Sequence, residues 1–309
     1  MLIFPVGLAY MAKLIIAWPL TFLLLIAGAA FAFGAVLQVS AFIFGAVLLY
    51  VFIRTCTSLP APELLWIKWI FQCLAGLLGD IRLHGGGAED ASGTRPTRPT
   101  IYAYHPHGLY AVAPLVHILR GDISASLVTI PLAANFPVVS LITRTLGIIS
   151  SDKENLRRVL KGGGSIAILI GGVREAEETA VNTMRLCADK TGIFELAIET
   201  DAQIVPVISY GENEIFRVWK PLGWFQDALK RLIHLKILLP YAGDILKLLR
   251  GGCPQVDSYM GAGLAAGAAG GSVETLRDEY KRAFEELYSR TRPAGYGEKI
   301  EWLDRVERI

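Results

Sequence analysis

A run of forty residues without a charged side chain, over residues 14–53, is the feature that most constrains how this chain can fold. As one helix the run would be roughly 60 Å long, about twice the hydrocarbon thickness of a bilayer. We therefore expect a transmembrane helical hairpin with spans near 14–33 and 37–53. Because Lys13 and Arg54 flank the run, both ends are predicted to face the cytosol. A cleaved signal peptide would have a much shorter apolar core.

The composition of the chain excludes several classes of function. Charged residues make up 19% of the chain, below the roughly 25% of an average soluble protein. The net charge is +2 and no basic stripe interleaved with aromatic residues is present, so the sequence predicts no nucleic-acid partner. The four cysteines are far apart without a Cys-x-x-Cys pair, which indicates neither a disulfide framework nor a zinc site. A reducing, cytosol-facing environment is expected.

The segment after the hairpin combines tryptophan and lysine, at Trp66, Lys68 and Trp69, within an apolar stretch. This combination is typical of a helix in the membrane interface, and a helix packed on the globular domain is the alternative. The predicted organisation is a membrane hairpin over residues 1–56, an interfacial helix over 57–84, a linker over 85–99, and a globular domain over 100–309 that includes a flexible Gly/Ala-rich loop over 251–272.

Beyond residue 100, short apolar runs alternate with amphipathic stretches, which indicates an α/β layered fold with a mainly parallel sheet. The predicted strands are 101–104, 125–130, 165–170 and 204–208, and the predicted helices are 109–119, 153–160, 193–199, 224–238 and 273–288. Pro206 lies inside the last strand. Because proline has no N–H to donate, we expect an edge position or a bulge there.

Three polar turns that contain glycine directly follow three of these strands. They are His105-Pro106-His107-Gly108, Gly171-Gly172-Val173-Arg174-Glu175 and Tyr210-Gly211-Glu212-Asn213-Glu214. Parallel strands end at the same edge of a sheet, and that edge is where α/β folds bind ligands. The sequence therefore predicts one site at which the three turns converge.

The chemistry of this site depends on its two histidines, because imidazole is the side chain best suited to accept a proton near neutral pH. A hydrogen-bonded structural pair is the alternative, and zinc is disfavoured because no third Cys or His follows at ligand spacing. Glu175 is a candidate to orient or stabilise an imidazolium, and Asn213 is a candidate oxyanion donor. The candidates for substrate binding are Gly108, Gly171, Gly172, Arg174, Glu212 and Asn213.

The residues Tyr104-His105-Pro106-His107-Gly108 resemble the signature of the type-2 diacylglycerol acyltransferases and their monoacylglycerol and wax-alcohol acyltransferase relatives. Three further blocks are similar to that family in order and spacing, over residues 151–155, 166–175 and 191–214. Two segments depart from the family pattern. Residues 80–85 lack the usual Tyr-Phe-Pro element, and 251–272 is Gly/Ala-rich where a strand with Gly-Lys-Pro is usual.

The resemblance implies an acyltransferase-like domain that moves a fatty acyl group from acyl-coenzyme A to diacylglycerol, with monoacylglycerol or a fatty alcohol as alternative acceptors. It implies acyl-coenzyme A as co-substrate without a further cofactor, and it carries the catalytic roles to His105, His107 and Glu175. Location in the endoplasmic reticulum membrane with the catalytic domain facing the cytosol is implied too. Association with lipid droplets and a homo-oligomer are further expectations.

Two other features remain open at this stage. The candidate contacts for the coenzyme A phosphates are Arg157, Arg158, Lys161 and Arg174, with a solvated basic face as the alternative. A non-catalytic lipid-binding membrane protein is the rival function, motivated by the two divergent segments. A phospholipid-precursor acyltransferase is disfavoured, because Tyr110 and Val112 occupy the positions five residues after the histidines, where that class would have aspartate.

Overall fold

The computed structural model describes residues 21, 44–45, 47–48, 65–77, 80–85, 98–135, 137–178, 182–217, 241, 244, 252, 254–269 and 272–303. Most of the predicted membrane hairpin and linker, and the predicted helix 224–238, lie outside this part of the chain. Within it, no helix has both the length and the apolar character needed to cross a bilayer. The chain divides into two compact units, Met1–Ile70 with Leu132–Leu146 and Phe71–Pro131 with Gly147–Ile309, and the candidate site lies in the second.

Strands and helices alternate along most of the chain. The strands are β1 (Ile81–His84), β2 (Thr100–His105), β3 (Ser126–Thr129), β4 (Ile149–Ser150), β5 (Ile166–Leu169), β6 (Arg185–Leu186), β7 (Gln203–Tyr210), β8 (Val256–Met260), β9 (Leu264–Ala265) and β10 (Glu301–Trp302). The helices are α1 (Leu65–Leu77), α2 (Val112–Arg120), α3 (Pro131–Asn135), α4 (Pro137–Thr145), α5 (Lys153–Lys161), α6 (Gly172–Glu177), α7 (Gly192–Thr200), α8 (Glu212–Ile215) and α9 (Val273–Thr291), with a 3-10 helix at Ala266–Ala269.

The main sheet has the strand order β1-β8-β7-β2-β5-β3-β4, and β9 also pairs with β7. Neighbouring strands are parallel except where β7 meets β8 and β9. The α/β fold with a mainly parallel sheet is therefore confirmed. Because β7, β2 and β5 are adjacent and parallel, their carboxyl ends and the three polar turns that follow them meet at one edge.

The alternation of side chains along β2 decides which residues face each side of the sheet. Tyr102 and Tyr104 join the core cluster that packs against α2. Ile101 and Ala103 join the larger cluster on the other face, which includes residues of α5, α7 and α9. His105 continues this second row, and its ring therefore lies against aromatic side chains of α9.

Helix α9 covers the sheet on the side that His105 faces. The helix begins after Ser272, whose hydroxyl accepts a hydrogen bond from the Thr275 N–H at 3.3 Å and caps the first turn. Its buried residues recur three or four positions apart, which makes one continuous apolar stripe. They are Leu276, Tyr280, Phe284, Leu287 and Tyr288.

Pro206 lies in a central strand, so the edge position, one of the two alternatives that the sequence offered beside a bulge, is wrong. Strand β7 pairs with β9 at residues 203–204 and with β8 at residues 207–210. Residues 205 and 206 of β7 therefore lie between these two partners, where the ladder is interrupted. The Pro206 carbonyl accepts a hydrogen bond from the Gly261 N–H at 2.8 Å on that side. The nitrogen and the carbonyl oxygen of one strand residue point to the same side of the strand. The Pro206 nitrogen, which carries no N–H, therefore points into the gap between β8 and β9.

The Gly/Ala-rich segment 251–272 is not a loop throughout, because it contains β8 and β9. Val256, Ser258 and Met260 are buried, and the two residues between them are partly exposed, which is the period-two pattern of a strand. The glycines and alanines on either side obscure that pattern in the composition. The correction matters because β8 contacts β7 just before the third polar turn.

The predicted interfacial segment 57–84 contains a helix, α1, but it ends in a strand. Strand β1 has four residues and pairs in parallel with β8. A strand this short carries too few residues for its alternation to be recognised, and it is stabilised by a partner far away in the sequence. On α1, the Trp69 and Lys68 side chains are exposed.

Two glycines with the same backbone conformation test the packing at the end of β7. Gly211 has φ 87° and a Cβ there would overlap the Gln255 carbonyl oxygen, whereas Gly121 has φ 83° and open space around it. Gly121→Ala should cost roughly 1–2 kcal/mol of stability from backbone strain alone. Gly211→Ala should cost about 3–5 kcal/mol, because steric overlap is added. Thermal unfolding in detergent measures both variants, and equal losses would contradict this packing.

Candidate active site

His105 and Glu175 form a buried pair at the carboxyl end of β2. The Nδ1 atom of His105 lies 2.8 Å from Oε2 and 3.1 Å from Oε1 of Glu175, and the two side chains are 0% and 1% exposed. A carboxylate accepts the hydrogen bond, so Nδ1 carries the proton of this contact. The structure thus brings the side chains of two residues that the sequence predicted to be catalytic into direct contact, and Glu175 also contacts the backbone of the third, His107.

The Glu175 carboxylate also binds backbone groups from two other segments. Its Oε1 accepts the His107 N–H at 2.6 Å, and its Oε2 accepts the Cys187 N–H at 3.1 Å. Hydrogen bonds to an ionised acceptor are roughly twice as strong as neutral ones. Glu175 therefore fixes the histidine turn directly and also ties it to the segment that follows β6.

The paired glycines before Glu175 make room for contacts within the chain. A Cβ at Gly171 would overlap the Glu175 carboxylate, so only glycine lets this side chain fold back over its own turn. Gly172 has φ 58°, and a Cβ there would lie 2.7 Å from Nζ of Lys190. The sequence assigned both glycines to the approach of substrate, but in the structure side chains of the protein occupy that space.

His107 is half-buried and its orientation is fixed by its own turn. Its Nδ1 lies 2.9 Å from the Gly108 carbonyl oxygen, and a carbonyl only accepts, so Nδ1 is protonated and Nε2 is the basic nitrogen. Burial lowers the pKa of His107, the Gly108 carbonyl and Glu175 raise it, and the positive charge of Lys190 lowers it further. The net shift is downward, which keeps this imidazole neutral at pH 7.

His105 is enclosed on its other side by aromatic rings. Phe284 lies edge-on with its ring centroid 5.1 Å from that of His105, and Tyr280 and Trp302 lie at 6.2 Å and 6.4 Å. The Nε2 atom of His105 has no hydrogen-bond partner among the described residues and is fully buried. Of the two imidazoles, only His107 is partly open to its surroundings.

Comparison with known proteins identifies the family of this chain. The family model for diacylglycerol acyltransferase matches residues 88–254, which is more than half of the chain. Diacylglycerol O-acyltransferase 2A of Umbelopsis ramanniana is 31% identical over 244 residues, covering 69% of this chain and 67% of that protein. The chain belongs to the diacylglycerol acyltransferase family.

Other relatives of this acyltransferase match over shorter stretches. The 2-acylglycerol O-acyltransferase 1 of Mus musculus is 29% identical over 170 residues, covering 49% of this chain and 51% of that protein. The chain thus spans about half the length of that relative. A solved structure, the 1-acyl-sn-glycerophosphate acyltransferase PlsC of Thermotoga maritima, matches with a TM-score of 0.46 and 12% identity over 81% of this chain and 90% of that chain.

The third polar turn of the acyltransferase supports the start of α2. The Glu212 carboxylate accepts the N–H groups of Val112 at 2.7 Å and Ala113 at 2.9 Å, and the side chain is 2% exposed. A Cβ at Gly108 would lie 2.7 Å from Cγ of Glu212, so glycine is required for this approach. Asn213 is buried beside it in α8. Glu212 therefore holds the start of α2 and packs against the histidine turn at Gly108.

Most of the basic residues that the sequence offered for phosphate binding are engaged with protein groups. Arg174 pairs with Asp189 at 3.4 Å. On α5, Arg157 binds Glu199 of α7, and Lys161 lies 3.8 Å from the same carboxylate. Arg158 donates to Asn155 at 3.3 Å. The two contacts with Glu199 join α5 to α7, and the basic row on α5 fits the solvated basic face that was the alternative interpretation.

Sequence reasoning missed three contributions to the site, from Cys187, Lys190 and Trp302. The first two follow β6, and the third lies on β10, which pairs with β6 in a separate two-stranded sheet. Both strands have only two residues, so neither is recognisable from periodicity. The Cys187 contribution comes from its backbone N–H, and no residue type signals such a contact.

Gly171→Ala should separate Glu175 from His105, because the added Cβ occupies the position of the carboxylate. A displacement of about 1 Å in supporting geometry can cost roughly 10²-fold in rate, and we expect a loss of acyltransferase turnover of that order. The matched control is Gly192→Ala at the first residue of α7, where nothing lies within 4 Å of the added Cβ. Initial-rate assays of both variants measure the effect, and equal turnover would contradict the predicted role of Gly171.

Glu212 should make stability depend on pH. Burial raises the pKa of Glu212 to about 7, although the backbone N–H groups of Ala113 and Val112 lower it. Between about pH 4.5 and 7 the folded chain binds this proton more tightly than the unfolded chain does. The stability that protonated Glu212 gives the folded chain is therefore fully present below about pH 4.5. As pH rises through 7 this stability is lost, and the free energy of unfolding falls by about 3 kcal/mol.

Thermal unfolding of the wild type and of Glu212→Gln across this pH range tests the prediction. The variant should lose the part of the pH dependence that comes from Glu212. The control is Glu214→Gln on the same short helix, whose side chain is partly exposed and which should keep the wild-type profile. Identical pH profiles for wild type and Glu212→Gln would show that Glu212 does not titrate in this range.

Proposed function

We propose that this chain transfers a fatty acyl group from acyl-coenzyme A to the hydroxyl of diacylglycerol, with His107 as the general base. The observation that carries the proposal is the division of roles between the two imidazoles. His105 is buried and bound to Glu175, while His107 is half-buried with Nε2 unprotonated. A neutral imidazole that is held rigidly and open on one side has the properties that proton abstraction requires.

The reaction proceeds without a covalent intermediate on the protein. The Nε2 atom of His107 takes the hydroxyl proton while the acceptor oxygen bonds to the thioester carbonyl carbon. The carbonyl electron pair moves onto oxygen and gives a tetrahedral oxyanion. When this collapses, the carbon–sulfur bond breaks and the imidazolium returns its proton to the coenzyme A thiolate. General base catalysis of this kind contributes typically about 10²–10⁴-fold in rate.

Glu175 and His105 position the base rather than take the proton. Glu175 binds the N–H of His107, which fixes the backbone at the base, and the His105 ring fixes the carboxylate. The negative charge of Glu175 also favours the imidazolium that His107 becomes during the reaction, as its effect on the His107 pKa indicates. The buried pair of His105 and Glu175 therefore both orients His107 and stabilises its protonated form.

A membrane location suits the chemistry of the substrates. Diacylglycerol and long acyl chains reside in the bilayer, and a chain tethered there by the forty-residue apolar run meets them where they are concentrated. Trp69 and Lys68, exposed on α1, are residue types typical of the interface. The endoplasmic reticulum membrane with a cytosolic catalytic domain, lipid-droplet association and homo-oligomer formation belong to the proposal on the same basis.

The choice among neutral acceptors is the part of the proposal that depends on relatives. Diacylglycerol is favoured because the family model and the fungal relative carry that substrate in their names. The mouse relative is named for 2-acylglycerol, which makes monoacylglycerol the second candidate. A fatty alcohol is the third.

The test uses full-length protein in proteoliposomes with labelled acyl-coenzyme A and each acceptor in turn. The wild type should form triacylglycerol, and His107→Ala should lower turnover by roughly 10²–10⁴-fold. The control is His84→Ala, since His84 lies on the edge strand β1 and pairs there with Asp257. His84→Ala should retain wild-type turnover.

Two outcomes would contradict the proposal in different ways. If the wild type forms no ester with any acceptor, the transferase function is wrong, and non-catalytic lipid binding becomes the better account. If the wild type is active and His107→Ala keeps its turnover, the function stands and His107 is not the base.

A further inference from the structure

Lys190 lies beside the histidine site and has no role in the mechanism above. The segment after β6 contacts the site twice, through the Cys187 N–H on Glu175 and through the Lys190 ammonium over Gly172. A Cβ at Gly172 would lie 2.7 Å from Nζ of Lys190, so the ammonium rests directly against the backbone of the Gly-Gly turn. This turn is the one that presents Glu175 to both histidines.

The charge of Lys190 is not neutralised by an acid in the described part of the chain. Its neighbour Asp189 pairs with Arg174 at 3.4 Å instead, and Glu175 is bound to His105. No carboxylate of the described residues lies within 4 Å of the Lys190 nitrogen, and the side chain is exposed. A positive charge thus lies beside the site without an anionic partner among the described residues.

The field of Lys190 reaches the proposed base. The titratable groups that act on His107 are Glu175, His105 and Lys190, of which Glu175 raises the His107 pKa and the two others lower it. The geometry beside this effect is the contact of the Lys190 ammonium with the Gly-Gly turn that presents Glu175 to both histidines. The reaction at His107 builds up negative charge on the former thioester carbonyl oxygen.

We propose that Lys190 is a further catalytic residue of this acyltransferase, whose ammonium contacts and stabilises the oxyanion of the tetrahedral intermediate. The inference rests on the acyl transfer proposed above and adds a residue to it. The thioester carbonyl is neutral in the ground state and anionic in the intermediate. An ammonium at this position therefore lowers the energy of the intermediate more than that of the bound substrate.

This role distinguishes Lys190 from a phosphate contact for the acyl donor. A residue that binds a coenzyme A phosphate acts equally on substrate and intermediate, so its loss raises KM and leaves kcat unchanged. Loss of a residue that binds only the oxyanion lowers kcat and leaves KM nearly unchanged. The pH dependence of the rate is a second, independent signal. Removal of the Lys190 charge raises the pKa of His107, so the acidic limb of the pH–rate profile moves to higher pH.

The experiment compares Lys190→Met and Lys190→Arg with the wild type, as full-length proteins in proteoliposomes supplied with acyl-coenzyme A and diacylglycerol. Lys190→Met should lower kcat by roughly 10²-fold with little change in KM, and its acidic limb should move to higher pH. Lys190→Arg should recover most of the activity because it keeps the charge. Lys153→Met, on α5 and paired with Glu195, is the control and should match the wild type.

Three results would overturn the assignment while leaving acyl transfer itself intact. One is a Lys190→Met variant with wild-type kcat and an unmoved acidic limb. Another is a rise in KM for acyl-coenzyme A at constant kcat, which would make Lys190 a binding residue for the donor. The third is a Lys190→Arg variant as impaired as Lys190→Met. Failure of the wild type to form any ester would instead remove the proposed function.

Discussion

The Glu175 carboxylate is the group on which the whole site depends. A buried carboxylate is costly unless donors surround it, and here it receives His105 Nδ1, the His107 N–H and the Cys187 N–H. These donors come from two segments that are far apart in the sequence, residues 105–107 and the stretch after β6. Because one side chain binds all of them, the end of β2, the histidine turn and the segment after β6 have fixed relative positions.

The two histidines differ in their surroundings because the alternation along β2 places them differently. His105 is still part of the strand and follows Ile101 and Ala103 onto the face covered by α9, so it is buried among aromatic rings. His107 lies beyond the strand, in the turn that Gly108 closes at φ 58°. The same motif therefore supplies one fully buried imidazole and one that is partly exposed.

Local patterns in the sequence were sufficient for the α/β class, for the convergence of the three turns and for the residues His105 and Glu175. The features that these local patterns did not predict depend on partners far away in the sequence. Strand β8 was hidden by its Gly/Ala-rich surroundings, and β1 depends on β8. The basic residues on α5 have the composition of a phosphate site. In the structure, however, Arg157 pairs with Glu199, forty-two residues away. The position of Pro206 in a central strand likewise depended on where β8 and β9 separate.

The most direct test of the account is the protonation state of His107 at pH 7. Nitrogen-15 NMR of histidine-labelled, full-length protein in nanodiscs reports it, and the His107 signals are identified by their loss in His107→Gln. The account predicts a neutral ring with a proton on Nδ1 and none on Nε2, because burial lowers its pKa and the Gly108 carbonyl accepts the Nδ1 proton. An imidazolium at pH 7, or a neutral ring protonated on Nε2, would contradict it.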